Sequence, residues 1–142
     1  MASNTISAFV EKLLQALTLE EKVSLVAGQK MWQTAQVERL GILPLQTTDG
    51  PAGARGTKWT DGLPSTLIPC PISLAATWDL AIVNKVGTVL GKETRRRGSH
   101  VLLAPTMNFS RSPLGGRNFK GYGEDSFLVG TMSTEMIREI PK

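Results

Sequence analysis

The sequence holds one cysteine, Cys70, and one histidine, His100. A lone cysteine excludes an internal disulfide and gives no sign of an oxidising compartment. With so few soft ligands a dedicated zinc site is not expected, and neither is any other metal or cofactor. No stretch approaches the ~18 consecutive apolar residues of a membrane span, so no membrane partner is expected. The first 17 residues lack a basic n-region, and Glu11 and Lys12 interrupt their apolar positions. That is not the pattern of a secretory signal, and a cytoplasmic location is the expectation that follows. Excess charge is also scarce, with a formal net of +4. The one dense basic run, Arg95, Arg96 and Arg97, has no interleaved aromatics to stack on bases. It falls in the last turn of an expected helix, where cations complement the dipole. No nucleic-acid partner is expected.

What is present is the composition of a soluble globular domain: 142 residues, 41% hydrophobic and 20% charged. Ile6, Phe9, Val10, Leu13, Leu14 and Leu17 recur at helical spacing, with Ser3 or Asn4 as N-cap. Thr18 and Glu21 form a T-x-x-E capping box that starts a second helix, with Leu19, Val23 and Val26 as its buried face and Gly28 as its stop. Residues 1–28 thus read as a helical lead-in.

From residue 41 to 142 the pattern becomes that of βα units. Residues 43–48 read as a short strand broken by Asp49-Gly50-Pro51, and residues 72–76 as another. Asp79 caps a helix with Ile82, Val83, Val86 and Leu90 on one face, ended by Gly98. Residues 100–104 resemble a parallel strand buried on both faces. Asp125 caps a last helix whose buried stripe would be Phe127, Met132, Met136 and Ile140. Strand, loop, helix, repeated, implies an α/β fold with parallel strands.

Two long glycine-rich loops follow the strands, and in such folds ligands bind beyond strand carboxyl ends. The first offers Asp49, Arg55, Lys58, Trp59 and Asp61; the second offers Arg111, Arg117, Asn118, Lys120, Tyr122, Glu124 and Asp125. Charged groups for hydroxyls and aromatics for ring faces suit a polyhydroxylated ligand. Loop residues of these types also serve simply as turn formers. A phosphate cradle at residues 115–123 is the weaker reading, because no G-K-[ST] follows the glycines.

Four ordered motifs carry a resemblance. Leu40-Gly41-Ile42 through Asp49-Gly50-Pro51-Ala52-Gly53-Ala54-Arg55-Gly56 resembles the RLGIP…DGPxGxRG region of glycoside hydrolase family 3 β-glucosidases. Residues 74–79 (LAATWD), 101–108 (VLLAPTMN) and 111–119 (RSPLGGRNF) are similar to further motifs of that family. The resemblance implies a partial (β/α)8 TIM-like barrel, amino-terminal portion only. It implies retaining hydrolysis of terminal β-D-glucosyl residues, with a β-glucoside or oligosaccharide as substrate. It places Asp49 and Arg117 on hydroxyls of the non-reducing sugar, with Arg55 and Trp59 at or near the same pocket. The alternatives are that Asp49 only terminates a strand, Arg117 is an ion-pair partner and Trp59 a lid without ligand contact.

No catalytic residue is assigned. A retaining glycosidase needs two carboxyl groups ~5–5.5 Å apart, and the family's S-D-W nucleophile motif and distant glutamate acid/base have no counterpart in this sequence. A full barrel takes ~250 residues, so the chain is expected to be about half of one. Its partners would be the remainder of the barrel and a second domain. The alternative is a non-catalytic glycan-binding or truncated fragment. Lys120 stands where the family has glutamate, reversing a charge beside Arg117. Ser126 replaces a proline, which costs little because Asp125 still caps.

Overall fold

Two compact units, residues 1–46 and 47–142, make up the chain in a computed structural model that describes residues 2–58 and 60–140. In the first unit, α1 (Ala2–Ala16) and α2 (Leu19–Ala27) meet at Thr18. The capping box forms as the sequence requires: Thr18 Oγ1 accepts from the Glu21 amide at 3.3 Å, and Glu21 Oε2 accepts from the Thr18 amide at 2.9 Å. Arg39 secures this corner, donating to Glu21 Oε1 at 2.7 Å and to the Ala16 carbonyl at 2.8 Å.

The unit departs from expectation in two ways. Helix α1 begins at Ala2, so Ser3 and Asn4 lie inside it and neither is the N-cap. The apolar stripes also stay largely uncovered. Ile6, Phe9, Val10 and Leu14 are exposed and only Leu17 is buried, while Leu19, Val23 and Val26 on α2 are all exposed. Helical periodicity identifies an apolar face without saying what covers it.

In the second unit, β1 (Thr47–Asp49) and β2 (Val101–Leu103) form a parallel two-stranded sheet, with Thr47 opposite Val101 and Asp49 opposite Leu103. The expected strand at 43–48 is thus reduced to three residues shifted toward the loop. Strand β2 is covered on one face only: Leu102 packs against the core, whereas Val101 and Leu103 are exposed. Among the described residues, two strands, each with a helix after it, make two βα units, fewer than half of an eight-unit barrel.

The expected strand at 72–76 is a short helix, α3 (Pro71–Ala75). Pro71 explains the reversal. Its ring fixes φ near the helical value at the first helical position, after an extended Cys70. Leu74 and Ala75 are then buried. Helix α4 (Leu80–Arg96) starts where Asp79 Oδ1 accepts from the amides of Ala81 and Ile82 at 2.8 and 3.2 Å. Helix α5 (Ser126–Glu139) starts on Asp125.

Both buried stripes differ in part from the expected ones. On α4 Ile82 is exposed, and Gly87 and Gly91 join Val83 and Leu90 inside. On α5 Phe127 is 80% exposed and Ile140 half-buried, with Val129, Met132, Ser133 and Met136 forming the face. The glycines let the helices close: a Cβ on Gly87 would lie 2.4 Å from the Met136 carbonyl oxygen. Tyr122, Ile68 and Leu74 complete the core that supports the two loops.

Candidate functional site

Strand β1 ends at Asp49, and the chain turns back on it immediately. The Arg55 amide donates to the Asp49 carbonyl at 2.9 Å, and Asp49 and Gly56 form an antiparallel bridge. Thr48, fully buried, accepts the Gly56 amide on Oγ1 at 2.8 Å. The turn needs its glycines: a Cβ on Gly50 would fall 2.5 Å from the Gly53 carbonyl oxygen. Gly53 has φ +140° and lies against the Thr66 carbonyl, 2.5 Å from where its Cβ would be. The returning chain is tied by the Ile68 amide to the Ala52 carbonyl at 3.0 Å. Asp49 is therefore held by backbone bonds at a strand carboxyl end, half-buried.

The second loop is organised by Asn118, whose Nδ2 donates to the Ser112 carbonyl at 2.7 Å. A single 3-10 turn, Asn118–Lys120, follows. Tyr122, offered by the sequence as a ligand contact, is instead fully buried and belongs to the core. Its hydroxyl meets Met136 Sδ at 3.3 Å, and burial pushes its pKa up to about 12.

A cleft of about 480 Å³ opens beside the Asp49 turn. Asp49, Arg55, Lys58, Phe119 and Lys120 line it, with Thr66 on the opposite stretch of the first loop. Arg117 is not among its lining residues. It lines an adjoining cavity of about 420 Å³ with Thr106, Asn108, Asn118 and Lys120. Of the expected binding residues, Asp49 and Arg55 are brought together, Arg117 stands apart and exposed, and Lys120 borders both cavities. Trp59 lies outside the described residues.

Two contributors escaped the sequence reading. Phe119, half exposed at 52%, gives the cleft a flat apolar surface. Its signal was available, since it is the aromatic beside Asn118 in the 3-10 turn. Arg97, by sequence a complement to the helix dipole, donates through Nη2 to the Leu63 and Pro64 carbonyls at 2.9 and 2.6 Å. Nothing in local sequence announces so distant a bond.

Three cations and one carboxylate line the larger cleft, so it can hydrogen-bond hydroxyls and stack on a ring. Among the described residues Asp49 is its only acidic lining residue, so these supply no carboxylate pair. Cys70, at the cleft edge, has its thiol pKa lowered by Ser73, with Sγ and Oγ 3.2 Å apart. Among the described residues no group of three or more His, Cys, Asp or Glu side chains could hold a metal ion.

The Glycosyl hydrolase family 3 N terminal domain matches residues 5–141. The chain is 46% identical over 131 residues to a probable beta-glucosidase I of Aspergillus terreus, covering 92% of this chain and 16% of that protein. The figures for beta-glucosidase B of Emericella nidulans are the same. The crystal structure of a beta-glucosidase from Kluyveromyces marxianus in complex with glucose is similar with a TM-score of 0.88 at 40% identity, over 92% of this chain and 16% of that one. Beta-glucosidase 3B from Thermotoga neapolitana, also in complex with glucose, gives 0.81 at 38% identity, over 92% and 21%. The chain thus spans only 16% of the length of these curated relatives.

Proposed function

The chain belongs to glycosyl hydrolase family 3, and we propose that it forms one wall of a β-glucoside site, gripping a terminal glucosyl unit through Asp49. On this reading residues 1–28 are a helical lead-in, and residues 41–142 are the first units of a (β/α)8 barrel. The observation that carries it is the position of Asp49: at the carboxyl end of β1, on a turn fixed by backbone bonds, facing a cleft shared with Arg55 and Phe119. Arg55 supplies a charge-assisted donor beside it. Arg117 would join the same sugar across Lys120, and Trp59 is carried as a further contact from the motif resemblance.

Catalysis needs more than these residues provide. The chain contributes binding, and the nucleophile and acid/base would come from the remainder of a barrel and a second domain. The single acidic residue lining the cleft equally supports a purely glycan-binding role for this chain. Calorimetric titration with glucose and cellobiose tests the shared premise. Heat at millimolar sugar that disappears in Asp49→Asn is expected; no heat from the unaltered chain would remove the sugar reading. An aryl β-glucoside should not be hydrolysed by this chain alone, and turnover abolished by Asp49→Asn would show that it carries its own chemistry.

A further inference from the structure

The first loop lines the cleft without being packed into the core: residues 57, 58 and 60–67 are all exposed. An exposed stretch of this length holds one arrangement only if something outside it fixes the backbone. Two side chains at the carboxyl end of α4 do so, Glu93 in its last turn and Arg97 just past it. Glu93 Oε1 accepts from the Thr66 amide at 2.9 Å and from Thr66 Oγ1 at 2.6 Å. Arg97, which caps the helix one residue past its end, donates to the Leu63 and Pro64 carbonyls. Its Nη1 also lies 3.1 Å from where a Cβ on Gly56 would be.

These contacts reach the sugar-facing turn through one intermediate at each end. The Thr66 carbonyl abuts Gly53, within the turn that begins at Asp49. Gly56 follows Arg55 and bonds through its amide to Thr48, the neighbour of Asp49. We propose that Glu93 and Arg97 are positioning residues, a two-point clamp from the carboxyl end of α4 that sets the first loop against the Asp49 turn and so sets sugar affinity without touching sugar.

The chemistry of Glu93 argues for this over a purely stabilising contact. Its second oxygen, Oε2, is buried with no hydrogen-bond partner among the described residues. A carboxylate oxygen left so costs stability. An amide at 93 could accept from Thr66 without that charge, so stability alone does not call for glutamate. The charge does strengthen both Thr66 bonds, and Thr66 lines the cleft.

Only the affinity arm of the test rests on the sugar reading above. Amide hydrogen exchange on the whole chain, with and without glucose, is compared for Glu93→Ala, Arg97→Lys, Thr66→Val and Thr66→Ser. In Glu93→Ala the Thr66, Gly56 and Ile68 amides should exchange roughly tenfold faster, with α4 and α5 protected as before. Glucose should bind roughly fivefold or more weakly. In loop exchange Thr66→Ser, keeping the hydroxyl, should match the unaltered chain, whereas Thr66→Val should share part of the defect, since its amide still donates to Glu93. Unchanged loop exchange in Glu93→Ala overturns the clamp, and so does a freed loop with undiminished glucose affinity. Should the unaltered chain bind no glucose, the sugar reading fails. The loop exchange rates then decide the clamp by themselves.

Discussion

The Gly56 amide donates to the Thr48 hydroxyl at 2.8 Å, and Thr48 is fully buried. A side chain in the strand thereby pairs a backbone group of the returning loop, one residue from the carboxylate the cleft presents. Thr48→Val keeps the shape but leaves that amide unpaired in a dry site, which costs about 1–3 kcal/mol. The urea midpoint should fall accordingly with m unchanged. Thr48→Ser should recover most of the loss. Equal stability of the valine and threonine forms would mean that water reaches the amide.

How far the sequence foretold this arrangement depends on whether the signal was local. Thr18 with Glu21, Asp79 and Asp125 all cap helices as read, because a cap is decided within three residues. The parallel strands also followed from order alone. Residues 72–76 fold as a helix although four of the five are apolar, because Pro71 outweighs that run. The stripe on α5 failed at Phe127, since size suggests burial but only the neighbouring helix decides which face turns inward. Near the cleft, the motifs mark Asp49 and Arg55, which line it together, but give no sign that Arg117 lines a separate cavity. That depends on how two loops lie, which no spacing within one loop encodes.

Lys120 borders both cavities, and its amide donates to the Arg117 carbonyl at 2.9 Å, so the two cations are close neighbours along one turn. Two like charges so placed cannot pair, whereas a carboxylate at 120 could hold the arginine for a neutral ligand. Lys120→Glu should tighten glucose binding by about threefold to tenfold at low salt, with the gain shrinking as ionic strength rises. Calorimetry at two salt concentrations measures both. Weaker binding in the glutamate form would identify Lys120 as a sugar donor in its own right.

In the first unit, the hydrogen bond from Arg39, and then that from the Thr18 amide, hold the Glu21 carboxyl at about 2, against an ordinary value of 4.5. Glu20 is lowered too, chiefly by a backbone hydrogen bond. A depressed folded value means stability fully present above the unfolded pKa and lost as pH falls through the folded one. The corner between α1 and α2 should therefore weaken from pH 4.5 down to about 2. Glu21→Gln should flatten that part of the acid limb, read as helicity by circular dichroism against pH. An unchanged limb would show that Arg39 does not hold Glu21 in solution.

Glycine-to-alanine exchange should have opposite signs on the two packed helices. Alanine is favoured over glycine in a helix by about 1 kcal/mol, so the outcome turns on what the added methyl meets. On α4, a Cβ at Gly91 would lie 2.1 Å from the Ile140 carbonyl oxygen, and one at Gly87 2.4 Å from that of Met136. Both obstacles are backbone, so α5 itself must move, and such overpacking costs about 1–3 kcal/mol or more. Gly91→Ala should therefore lower the melting temperature despite its better propensity. On α5, nothing lies within 4 Å of a Cβ at Gly130, which is exposed. Gly130→Ala should raise the melting temperature, having only the propensity term to express. If both substitutions stabilise the chain, α4 and α5 do not approach as closely as Gly87 and Gly91 allow.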